Sequence, residues 1–89
     1  VTLLTGCMRD KDVAGLLAPL LPHAARVVTT TVALPRALPA DDLAAEVRRL
    51  APHLSVTAIA DPAVALTSAS EGGAPVLVAG SLFLVGAVR

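Results

Sequence analysis

Four short apolar or β-branched runs, at residues 1–5, 26–32, 55–59 and 75–79, each give way to a stretch with helical spacing, and this alternation most restricts the fold. Most of the runs are nearly continuous rather than alternating, as strands covered on both faces are. Strands of that kind interleaved with helices build a mostly parallel sheet. The expectation is an α/β, three-layer sandwich of about four strands with helices on both faces.

The helical stretches carry their own punctuation. Val13, Leu16, Leu17, Leu20 and Leu21 keep the spacing of one helix face, with Pro19 set to kink or end it and Pro22 to stop it. Leu43, Val47 and Leu50 form a second face, with Asp41 and Asp42 in the first turn, Arg48 and Arg49 in the last, and Pro52 behind them. Asp61 followed by Pro62 reads as an N-cap and first helical position, and Gly72-Gly73 closes that helix. Gly80 is expected as a turn and Ser81 as the cap of a last helix carrying Leu82, Leu84, Val85 and Val88.

Composition sets limits on partners. The 89 residues suffice for one small domain, and the 55 % apolar content holds one Phe and no Trp or Tyr, so the core must be aliphatic. Seven basic residues balance seven acidic ones without a basic, aromatic-bearing patch, which argues against nucleic acid. The longest apolar run, 75–88, is broken by Gly80, Ser81 and Gly86 and falls short of the roughly 20 residues of a membrane span. A lone Cys7 and the lack of a secretory leader pattern give a cytoplasmic expectation. The start at Val1, inside an apolar run, reads as part of a longer protein.

In an open parallel sheet, ligands bind beyond the carboxyl ends of the strands. Gly6, Arg9, Asp10, Lys11 and Asp12 follow the first run, Arg36 the second, Asp61 the third, and Gly80 and Ser81 the fourth. Gly6 and Gly80 are expected as turn residues that let a ligand approach the backbone. Asp10, Lys11 and Asp12 either cap a helix or hold a polar ligand, and Arg36, between Pro35 and Pro39, offers a fork for a carboxylate or phosphate. Ser81 offers a hydroxyl beside the amides of a helix start. His23 and His53 fall at the opposite edge, Cys7, at the binding edge with Arg9 close by, is either a candidate thiol or, as such residues more often are, a small buried hydrophobe, and no cysteine and histidine spacing suits a metal.

Asp10-Lys11-Asp12 running into Val13, Pro35-Arg36-Ala37-Leu38, and the closing Gly80-Ser81-Leu82-Phe83-Leu84-Val85-Gly86 together resemble the carboxy-terminal domain of bifunctional folylpolyglutamate synthase/dihydrofolate synthase, a branch of the Mur ligase superfamily. The resemblance covers nearly the whole chain, 1–89, and implies a partial Rossmann-like glutamate ligase domain whose first strand and His-Asn-Pro motif lie upstream. It implies an ATP-dependent ligase that activates a folate carboxylate as an acyl phosphate and joins L-glutamate to it. Here ATP and magnesium are held mainly by a P-loop domain elsewhere in the parent chain, so this piece has no catalytic residue of its own and is inactive alone. Asp10, Lys11, Asp12, Arg36 and Ser81 carry over as nucleotide- or glutamate-binding candidates. Phe83 stands where the family usually has tyrosine, and Ala87 where it has an acidic residue.

Two other readings compete. A stand-alone flavodoxin- or receiver-like module would use Asp10 and Asp12 for magnesium and Asp61 as the nearest phosphorylatable carboxylate. A purely structural interaction domain fits the composition but leaves the polar residues collected at one sheet edge without a purpose.

Overall fold

The computed structural model describes residues 1–9, 12–32, 35–71, 73 and 75–80. Strand β1 (Thr2–Gly6), helix α1 (Val13–Leu17), strand β2 (Arg26–Thr29), helix α2 (Ala40–Leu50), strand β3 (Ser55–Ala58), helix α3 (Pro62–Ser70) and strand β4 (Val76–Gly80) follow one another along the chain. The sheet has the order β3-β2-β1-β4, and every pairing is parallel. The expected α/β architecture is the one observed.

Burial along the strands explains their composition. Thr2 to Gly6 of β1 are all buried, because α2 and α1 cover one face of the sheet and α3 the other. Leu3, Cys7 and Val27 join Leu17, Leu43 and Val47 on the first face, while Leu4 and Val28 meet Ala65 and Ala69 on the second. The small alanines of α3 let that helix sit close on the sheet. Covering a leucine such as Leu3 or Leu4 stabilises the fold by about 2 kcal/mol, so an aliphatic core of this kind suffices without aromatics. Strand β3 departs from the continuous pattern: Ser55 and Thr57 are exposed and Val56 and Ala58 half-buried, as suits an edge strand with α2 on one face only.

Helix α1 is shorter than its leucine spacing predicts. It ends at Leu17, two residues before Pro19, and a 3-10 turn over Leu21–His23 carries the chain to β2. Leu17 and Leu21 are nevertheless buried in the same cluster, so the apolar face continues across the break, while Leu16 is exposed. Helix α2 matches expectation at both ends, with Asp41 and Asp42 in its first turn and Arg48 and Arg49 in its last. Asp61 caps α3 by accepting from the amides of Ala63 (2.8 Å) and Val64 (3.4 Å), and Pro62 occupies the first turn. At the other end of α3, the Arg26 guanidinium donates to the carbonyls of Ser68 (2.9 Å), Ala69 (3.3 Å) and Glu71 (3.3 Å). A side chain of β2 thus satisfies carbonyls that the helix end leaves free.

The last helix expected after Ser81 lies outside the described residues. Among the described residues, no helix is long and apolar enough to cross a membrane.

Candidate functional site

The strand order fixes where a ligand crevice opens. From β1 the chain steps through β2 to β3 in one direction, then crosses back under α3 to place β4 on the far side of β1. β1 and β4 thus flank the point where the strand order reverses, and in an open parallel sheet ligands bind outside the carboxyl ends of the strands at such a point. The last register pair there is Gly6 with Gly80. Both glycines, expected in turns, are the closing residues of their strands instead. Gly6 is needed for space: a Cβ there would lie 3.1 Å from the Thr30 carbonyl oxygen and 3.1 Å from Val32 Cγ1.

Beyond Gly6 the chain stays extended and pairs with the loop after β2. Met8 forms an antiparallel bridge with Ala37, flanked by the Arg9 amide donating to the Arg36 carbonyl at 2.8 Å and the Leu38 amide donating to the Cys7 carbonyl at 2.9 Å. Val32 and Ala37 are buried against Met8 and Val78, so this loop reaches over the top of β1 toward β4. Arg36 is exposed, and its carbonyl is held by the Arg9 amide.

Three threonines at the end of β2 fasten the same edge. Thr29 Oγ1 donates to the Ala40 carbonyl (2.8 Å), Thr31 Oγ1 accepts from the Ala40 amide (2.8 Å), and Thr30 Oγ1 donates to the Ala60 carbonyl (3.1 Å). The start of α2 and the start of the loop into α3 are both tied to one strand. These hydroxyls serve positioning.

The sequence-derived candidates fare differently. Asp12 caps α1, its Oδ1 accepting from the Gly15 amide at 3.1 Å, so its carboxylate is partly committed to local structure. It nonetheless lines a cleft of 450 Å³ between α1 and α2, together with Arg9, Asp42, Glu46 and Arg49. Glu46 and Arg49 pair with each other across one helical turn, which holds the Glu46 carboxyl below its usual range. Asp10, Lys11 and Ser81 lie outside the described residues. Cys7 is fully buried in the core beneath the edge, and burial pushes its thiol up, with the neighbouring Thr5 hydroxyl acting in the opposite sense. It is a packing residue, as read from the sequence.

His53 lines a separate, mostly apolar cavity of 290 Å³ formed with Leu21, Pro22, Leu50 and Ala51 where α1 and α2 end, on the opposite side from the crevice. Among the described residues, no group of three or more His, Cys, Asp or Glu side chains is gathered to hold a metal ion. What the sequence did not reveal is the pairing of residues 7–9 with 36–38 and the threonine clasp on Ala40. Both join segments about 10 to 30 residues apart, and no local periodicity reports such contacts; the run Thr29-Thr30-Thr31 at the end of a strand was the one available sign.

Comparison with known proteins gives one relationship. Residues 1–82 match the family described as Mur ligase, glutamate ligase domain. No curated protein and no solved structure matches the chain.

Proposed function

The chain belongs to the Mur ligase family as its glutamate ligase domain, a family of ATP-dependent ligases, and from that premise we propose that it is the closing domain of a folylpolyglutamate synthase/dihydrofolate synthase. In this reading the parent enzyme adds L-glutamate to dihydropteroate or to tetrahydrofolate and its polyglutamates in the cytoplasm. The acceptor carboxylate is activated as an acyl phosphate by ATP, the glutamate amine attacks its carbonyl carbon, and phosphate leaves. The domain is inactive by itself, since groups that cradle the phosphates belong to the P-loop domain of the parent.

The observation that carries the reading is the convergence at the carboxyl edge. In chain order residues 10–12 follow β1 and Ser81 follows β4, and Arg36 is tied by its carbonyl to the extension of β1, which supports a common location for the three motif segments of the resemblance. There Lys11 and Arg36 supply positive charge to a phosphate or to the glutamate carboxylates, and Ser81 supplies a hydroxyl. Asp12 holds the start of α1. In this reading magnesium accompanies ATP on the P-loop domain of the parent. The receiver-like alternative loses ground because Asp61, its nearest phosphorylatable carboxylate, is engaged as the cap of α3.

Replacement of Ser81 by alanine in the intact ligase tests the reading. The expected result is a loss of turnover of about a hundredfold, the scale of a removed transition-state donor, with an unchanged melting temperature. Parallel loss of stability and activity would reduce Ser81 to a helix cap.

A further inference from the structure

The outer edge of β3 is open to a further strand. The Ile59 amide donates to the Thr29 carbonyl at 2.8 Å, and Thr29 stands in register with Ala58, so the backbone groups of Thr57 and Ile59 are the ones that meet β2. Backbone groups alternate in direction along a strand, and those of Val56 and Ala58 therefore point away from the sheet. Among the described residues no strand lies beyond β3. The run from Ser55 to Ala60 holds none of the charges or prolines that commonly blunt such an edge.

One side chain from the neighbouring helix stands in the way. The Arg48 guanidinium, in the last turn of α2, donates to the outward Val56 carbonyl at 3.2 Å. Arg48 has no carboxylate partner among the described residues, where the ion pair is that of its neighbour Arg49 with Glu46. A strand approaching along β3 needs the Val56 carbonyl as an acceptor and must displace a charged donor to reach it.

The strand that fits is β3 of a second copy. With a two-fold axis through Thr57, antiparallel pairing sets Val56 opposite Ala58 of the other copy, and on either side of the axis these two residues exchange both of their N–H to carbonyl bonds. Every outward backbone group of Val56 and Ala58 is then satisfied. Thr57 faces its own counterpart and Ser55 faces Ile59, so no charge meets a like charge. We infer that β3 carries a self-pairing edge and that Arg48 holds it shut, so that loss of this one contact joins two four-stranded sheets into one. Nothing in this pairing depends on the ligase reading.

The test is sedimentation equilibrium of the wild-type protein and of Arg48→Ala, with amide hydrogen exchange on both. Arg48→Ala is expected to self-associate about tenfold or more tightly than wild type, with concentration-dependent protection of the Val56 and Ala58 amides. Adding Thr57→Lys, at an exposed position where the substitution leaves the fold alone, returns the association to the wild-type value, because two ammonium groups would face each other across the axis. An Arg48→Ala association constant within about threefold of wild type overturns the guard. Association that leaves the Val56 and Ala58 amides exchanging as in wild type, or that Thr57→Lys does not weaken, overturns the pairing and puts the contact on another surface.

Discussion

The Thr31 hydroxyl accepts a hydrogen bond from the Ala40 amide at 2.8 Å, so the first turn of α2 is capped by a residue nine positions upstream rather than by its neighbour. Pro39, at the N-cap, has no side-chain acceptor to offer. Thr31→Ala leaves that amide without its acceptor and should lower stability by about 1 kcal/mol in urea denaturation. Thr31→Ser, which keeps the acceptor, should restore most of the loss. Equal effects from both would mean that the methyl group, not the hydroxyl, holds the helix.

Thr5 presents the opposite case. Its hydroxyl oxygen is fully buried, and beyond the weak interaction with the Cys7 thiol it has no hydrogen-bond partner among the described residues, although the side chain stands in the central strand. An unpaired buried hydroxyl is a cost that a methyl group does not carry. Thr5→Val should therefore unfold at the same denaturant concentration as the parent or at a higher one. A loss of more than about 1 kcal/mol would reveal a partner for the oxygen, such as a buried water.

Cys7 links stability to alkaline pH. Burial disfavours its thiolate, so the folded thiol titrates above its ordinary range while the unfolded one does not. The unfolded chain then releases a proton that the folded chain retains, and the contribution of Cys7, complete below the ordinary thiol value, is lost as pH rises past that value toward the raised one. Wild-type stability should fall across this window relative to Cys7→Ala, whose profile lacks the component. The native thiol should also react with alkylating reagents far more slowly than the urea-unfolded chain. Coincident pH profiles for the two proteins, or rapid native alkylation, would place Cys7 at the surface.

The fold was open to reading because its signals are local. The continuous run at residues 1–5, the Asp61-Pro62 start and the charge arrangement of Asp41, Asp42, Arg48 and Arg49 each report a nearby physical requirement, and together they define alternating strands and helices. Pro19 ended α1 even though the leucine spacing ran on, a conflict that the residues themselves announced. The site was legible only in part. The carboxyl edge, where a ligand is expected, follows from the parallel sheet, and Arg36 became a candidate through its prolines. The bridge of Met8 to Ala37 and the grip of Thr29 and Thr31 on Ala40 depend on which loops the topology brings together, and no single segment encodes that. Gly6 was recognised as a special position for the wrong reason: it answers to the crowding by Thr30 and Val32, not to a turn.

On the proposed function, these residues complete an enzyme that joins L-glutamate to a folate at the expense of ATP. The most direct measurement is the release of inorganic phosphate by the intact ligase carrying this domain, with dihydropteroate or tetrahydrofolate as acceptor and each common amino acid offered in turn. The account predicts phosphate release that requires both the folate acceptor and L-glutamate, that yields one glutamyl amide per phosphate, and that collapses with Lys11→Ala at an unchanged melting temperature. Release that proceeds equally well with another amino acid, or only with an acceptor other than a folate, would contradict it.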